Sequence, residues 1–153
     1  MIRSPGVTTG GTTLTQGGVV WYTFELTCDV DSDAGFLDIE SRLSNLSGGT
    51  FPDDTFMALY DDQGSLVVID DDDGPSVFAQ LSFGDPTPRA GAKGGAPFDG
   101  RDGDLPAGRY YLAVTGHPPT LSSLPWGISG NAAEGTVRIA INTTTPLACS
   151  GDM

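Results

Sequence analysis

Eight carboxylates fall within 21 residues of this 153-residue chain: Asp53-Asp54, Asp61-Asp62 and Asp70-Asp71-Asp72-Asp73. No Lys or Arg lies between Leu43 and Pro88 to offset them. The spacing brackets two short apolar runs, Thr55–Tyr60 and Leu66–Ile69, joined by the turn Asp61-Asp62-Gln63-Gly64. In a hairpin of those runs, the start of the first strand sits beside the end of the second. Asp53 and Asp54 then approach Asp70 to Asp73. Carboxylates meeting at one edge repel strongly unless a cation neutralises them. Calcium takes six to eight oxygens in flexible geometry and suits such a rim. The expected metal ligands are Asp53, Asp54, Asp61, Asp70, Asp71 and Asp72, and the expected ion is Ca2+. The alternative is a solvated acidic edge that keeps the chain in solution; the coordination argument weighs toward calcium.

Two other acidic segments are weaker. Asp29, Asp31, Asp33 and Glu40 stand at positions 1, 3, 5 and 12 of an EF-hand-like loop. Position 6 is Ala34 where the pattern wants Gly, and the flanks alternate as strands do, so a polar turn is the better reading. Asp99, Asp102 and Asp104 include Arg101 among them, which favours a loop stapled by one Arg–Asp pair over a cation site. The single histidine, His117, stands in Gly-His-Pro-Pro without a nucleophile signature. It reads as an ordinary loop histidine. A hydrolase would need a pocket that gathers it with a carboxylate, and no such acid/base pair reads from the sequence. The chain is therefore expected not to be an enzyme.

Aromatic residues offer a different chemistry. Trp21 and Tyr111 lie opposite the apolar sides of their runs, and Trp126 stands in an irregular loop. Together they could form a platform for sugar rings. Packing on a second face or under loops is the weightier reading of the rings themselves, because large aromatics are mostly buried.

These side chains need a scaffold, and composition narrows it. With 22 Gly and 11 Pro the chain disfavours helix. Seven alternating or apolar runs read as strands: Val19–Leu26, Gly35–Leu43, Thr55–Tyr60, Leu66–Ile69, Val77–Phe83, Arg109–Thr115 and Gly135–Asn142. Leu66–Ile69 is apolar throughout and is expected to be buried on both faces. Gly84–Asp104 is Gly-rich and reads as a long loop or insertion. The expected fold is all-β, an antiparallel two-sheet β-sandwich of about seven or eight strands with no significant helix. Residues 1–13 read as a lead-in, 14–142 as the domain and 143–153 as a tail.

Charge excludes several partners. Twenty Asp+Glu against seven Lys+Arg give a net charge of −13. Duplex nucleic acid needs clustered cations, so it is not an expected partner. No run of about 18 apolar residues spans a membrane. No basic-then-apolar leader reads at Met1–Gly11. Cys28 and Cys149 fit no zinc spacing. A disulfide between them would suit an exported protein, although two separate buried thiols is the reading that weighs more.

Four segments carry a family resemblance. They are Gly18-Val-Val-Trp-Tyr-Thr-Phe24, Asp54-Thr-Phe-Met-Ala-Leu-Tyr-Asp-Asp-Gln-Gly64, Asp70-Asp71-Asp72, and Leu105-Pro-Ala-Gly-Arg-Tyr-Tyr-Leu-Ala-Val114. In this order the chain resembles the bacterial pre-peptidase C-terminal (PPC-like) domain family of exported proteins, over roughly residues 14 to 142. The resemblance implies a jelly-roll-like β-sandwich serving as a non-catalytic accessory module, secreted or on the cell surface. It implies calcium in some members and polysaccharide or collagen as ligand in others, with Asp54, Asp61, Asp70 and Asp72 at the acids of the strand-edge motif. The long Gly84–Asp104 insertion departs from the family pattern. The expected function is thus an exported binding module with a calcium-stabilised edge, for adhesion or targeting to polysaccharide or extracellular protein surfaces. Its rival is a self-assembling structural subunit whose ends, Met1–Thr13 and Thr143–Met153, donate or accept strands.

Overall fold

A computed structural model of the chain describes residues 7–8, 10–33, 35–72, 76–89 and 95–144. No helix occurs among them. The strands are β1 (Val7–Thr8), β2 (Thr12–Leu14), β3 (Val20–Leu26), β4 (Phe36–Glu40), β5 (Asn45–Ser47), β6 (Thr55–Asp61), β7 (Leu66–Asp70), β8 (Gln80–Gly84), β9 (Gly108–Gly116), β10 (Thr120–Leu121), β11 (Ile128–Ser129), β12 (Glu134–Val137) and β13 (Ala140–Thr143). Every pairing is antiparallel. The strand orders are β3-β9-β6-β7, β1-β13-β4-β8, β2-β12-β5 and β10-β11.

The all-β expectation holds, while the expected two sheets are four and the strands outnumber the seven or eight foreseen. The extra strands are two or three residues long and lie in segments without alternation. β1 and most of β2 fall in the supposed lead-in, β5 in the turn cluster after β4, and β10 and β11 in the loop after His117. The run 135–142 splits, and its halves join different sheets. Its break has a clear cause. The Ser44 hydroxyl accepts from the Arg138 N–H at 3.0 Å and donates to the Arg138 carbonyl at 3.0 Å, taking both groups out of a strand ladder. β1 pairs with β13 inside this chain, and residues 145–153 of the supposed strand-donating tail lie outside the described residues.

One core joins the larger sheets. Val20, Phe24 and Leu26 of β3 pack with Met57 and Leu59 of β6 and Leu112 and Val114 of β9. Leu37 and Ile39 of β4, Leu81 and Phe83 of β8, and Val137, Ile139 and Ile141 close the same cluster. The period-two pattern of β3 is obeyed: Trp21 and Thr23 face outward while Val20, Phe24 and Leu26 are buried.

β7 corrects an expectation. It is the last strand of its sheet, and Leu66, Val67 and Ile69 are 49%, 41% and 43% exposed. Only Val68 leans on the core. An apolar run by itself does not distinguish a strand covered on both faces from an edge.

The described part of the Gly84–Asp104 segment is pinned to the outer edge of β8. Asp102 N–H donates to the Ser82 carbonyl, Ser82 N–H donates to the Asp102 carboxylate, and Gly84 N–H donates to Gly103. Arg89 reaches the buried Asp38 through two hydrogen bonds of 2.8 and 3.0 Å, its guanidinium lying over the Phe36 ring. Cys28 is half-buried and disulfide-bonded, against the expectation of two separate thiols; Cys149 lies outside the described residues.

Candidate functional site

The sheet register brings three strand ends to one rim. Thr55 opens β6 opposite Gly116, which closes β9. The residues just beyond are Asp54 and His117, and the His117 N–H continues the ladder to the Asp54 carbonyl at 2.8 Å. β7 runs back along β6 with Asp70 opposite Met57, so Asp71 emerges on the same rim. His117 Nδ1 lies 3.5 Å from Asp54 Oδ2, and Nε2 lies 3.2 Å from Asp71 Oδ2. The Phe56 ring stacks on the imidazole with centroids 6.1 Å apart.

The electrostatics of this corner follow from burial. Asp54 is nearly enclosed, with its side chain 7% exposed. Burial raises its carboxyl above the ordinary 3.8, and Asp72 adds to this while His117 opposes it. Burial likewise raises Asp71, with Asp54 and Asp72 adding and His117 opposing. The closeness of the two carboxyls itself lowers Asp54 and raises Asp71. Asp71 Oδ1 is shielded from solvent and has no hydrogen-bond partner among the described residues.

Asp54, Asp71 and His117 each offer a ligand atom within 4.8 Å of the others, a set able to hold a metal ion. A protonated imidazole facing both carboxylates is also an internal counter-charge. The Asp71 Oδ1 is an acceptor that a cation or a hydrogen-bond donor would satisfy.

The other expected ligands are elsewhere. Asp53 adopts φ 62° and turns toward β5, where its Oδ1 accepts the Leu46 N–H at 2.9 Å. Asp61 sits at the opposite end of β6 and caps its own turn by accepting from Gln63 and Ser65. Asp70 points its Oδ2 at the Gln80 N–H, 2.8 Å away. Asp72 is exposed and acts on the corner through its charge. Asp73 lies outside the described residues. The EF-hand-like acids disperse: Asp29 accepts the Ala107 N–H, Asp31 the Asp33 N–H, and Glu40 pairs with Arg42. Arg101 pairs with Asp99 at 3.1 Å.

His117, which reads from the sequence as an ordinary loop histidine, instead faces two carboxylates. The available signal was the pairing of β6 with β9, which sets the residue after one beside the residue before the other.

A second constellation forms on the outer face of the β3-β9-β6-β7 sheet. Trp21, Tyr111 and Trp126 come together with Ile128 around an open pocket of about 490 Å³. Trp126 packs edge-on against Tyr111 at 4.8 Å and Trp21 at 5.9 Å, and tilted against Tyr60 at 5.8 Å. The segment after His117 delivers it. β10 and β11 pair, and Trp126 N–H donates to the Gly64 carbonyl at 3.0 Å. Gly64 has φ 78°, and a Cβ there would sit 2.7 Å from the Trp126 ring. The β6–β7 turn therefore requires glycine both for its backbone and to seat the indole. Trp21 and Trp126 stay 41% and 38% exposed, so packing among the rings leaves a substantial aromatic surface open to solvent.

No family model matches the chain, and no curated protein matches it.

Proposed function

We propose that this chain is a non-catalytic, exported binding module that engages polysaccharide through the Trp21–Tyr111–Trp126 pocket and is braced by a divalent cation at Asp54, Asp71 and His117. A jelly-roll-like sandwich of the PPC-like kind is the scaffold this reading assumes. The observation that carries it is the pocket. Three aromatic side chains from separate elements converge there with Ile128. Aromatic faces gain by removing the C–H face of a sugar ring from water. The net charge of −13 disfavours anionic glycans, so the ligand is a neutral polysaccharide.

Retention on insoluble neutral polysaccharides tests this. Trp126→Ala is expected to weaken retention about tenfold, the equivalent of about 1.4 kcal/mol. Retention unchanged in Trp126→Ala and Trp21→Ala together would remove the pocket from the function.

The identity of the ion follows from its donors. Calcium seeks oxygen ligands, whereas an imidazole nitrogen with two carboxylates suits a zinc-class ion. We expect Zn2+ to raise Tm more than Ca2+ does, by binding the folded form. A Tm indifferent to EDTA and to both ions would leave His117 as a plain counter-charge.

Hydrolysis is the second reading, because His117 does meet two carboxylates. A screen of ester, peptide and glycoside substrates, with His117→Ala as the blank, decides it. Turnover lost in that variant would replace the binding-module reading with an enzyme.

A further inference from the structure

We propose that the outer edge of β7 is a docking site for an extended peptide segment, apolar at its centre and flanked by lysine or arginine. The proposal depends on neither the aromatic pocket nor the ion.

β7 ends the β3-β9-β6-β7 sheet, so among the described residues the backbone groups facing away from β6 meet no further strand. Other edges are treated differently. The outer edge of β8 is covered by Gly100 to Gly103. β3, at the far side of the same sheet, shows Thr23 and a Glu25–Arg109 ion pair. β7 instead exposes Leu66, Val67 and Ile69 and contains neither Lys nor Pro, the residues that commonly blunt an edge. Its one irregularity is a register shift opposite Leu59/Tyr60. An edge strand of five residues, four of them apolar and three of those exposed, is a template for an added strand.

Charge selects the occupant. Asp61 and Asp62 flank one end of β7, and Asp70 and Asp72 the other. A second copy laid antiparallel on β7 would set these two groups of carboxylates against each other, which is unfavourable. A strand with an apolar middle and cationic ends meets both requirements.

The test uses the full chain and a synthetic peptide, Lys-Lys-Val-Thr-Val-Thr-Val-Lys-Lys, beside the same peptide with Glu for every Lys. The basic peptide is expected to bind one to one, at least about tenfold tighter than the acidic one, and to slow amide exchange at Val67 to Ile69. Val67→Lys with Ile69→Lys is expected to abolish that protection. Both side chains are exposed, and an unchanged circular dichroism spectrum verifies the fold. Independently, Asp62→Lys with Asp72→Lys is expected to reverse the preference between the peptides. Equal binding of both peptides, no binding, or protection elsewhere in the chain overturns the proposal. So does a dimer of the unmodified chain that dissociates on Val67→Lys, because a second copy would then occupy the edge.

Discussion

At the scale of single residues, Asp71 decides most. It stands beside Asp54, with one oxygen shielded and, among the described residues, unpartnered, and its carboxyl is raised from 3.8 chiefly by burial. A raised carboxyl binds its proton more tightly folded than unfolded. The stability so conferred is complete below 3.8 and is lost as pH climbs through the raised value. Asp71→Asn removes this loss. In EDTA at neutral pH the variant should therefore melt higher than the unmodified chain. The advantage should vanish when the melts are repeated well below pH 3.8, and the metal response should be absent throughout. A neutral-pH Tm below that of the unmodified chain would mean that Asp71 is held by a partner worth more than the repulsion it suffers.

At the scale of elements, the long runs were legible and the short ones were not. β3 announces itself because it buries one face, and burial imposes alternation; β6, and β9 from Leu112 on, are buried on both faces and read as apolar runs. β5 and β10 are too short for a period, and they pair because their neighbours place them. The acidic hairpin illustrates the same division. That Asp54 would meet the end of β7 follows from strand geometry alone. That Asp53 would turn away and Asp61 would cap its own turn depends on hydrogen bonds to Leu46, Gln63 and Ser65 that no pattern encodes. His117 needed the β6–β9 register, a contact between residues far apart in the chain. The Gly-rich segment carried its anchor in plain view, yet a lone Arg89 has no readable partner until β4 presents Asp38. With Asp38 only 2% exposed, Arg89→Ala should cost about 3–5 kcal/mol by leaving a buried carboxylate unpaired. Asp38→Asn combined with Arg89→Met should recover much of that loss in urea denaturation. Additive losses in the double variant would show that the two side chains act separately.

At the scale of the whole molecule, the acidic corner and the aromatic pocket share one stretch of chain. It leaves β9 at His117, carries Trp126 across the β6–β7 turn, and returns through β11 to Gly130, whose N–H donates to Gly17. An ion that fixes His117 restrains the same stretch that presents the indole. Coupling between two binding events is reciprocal, so saturating metal should tighten polysaccharide retention, and polysaccharide should tighten metal by the same factor. Titrations of each in the presence of the other would expose a mismatch at once. Heat tolerance and taste for ligand are then inherited together: lengthening or shortening the span from His117 to Gly130 by even one amino acid should disturb both in a single step.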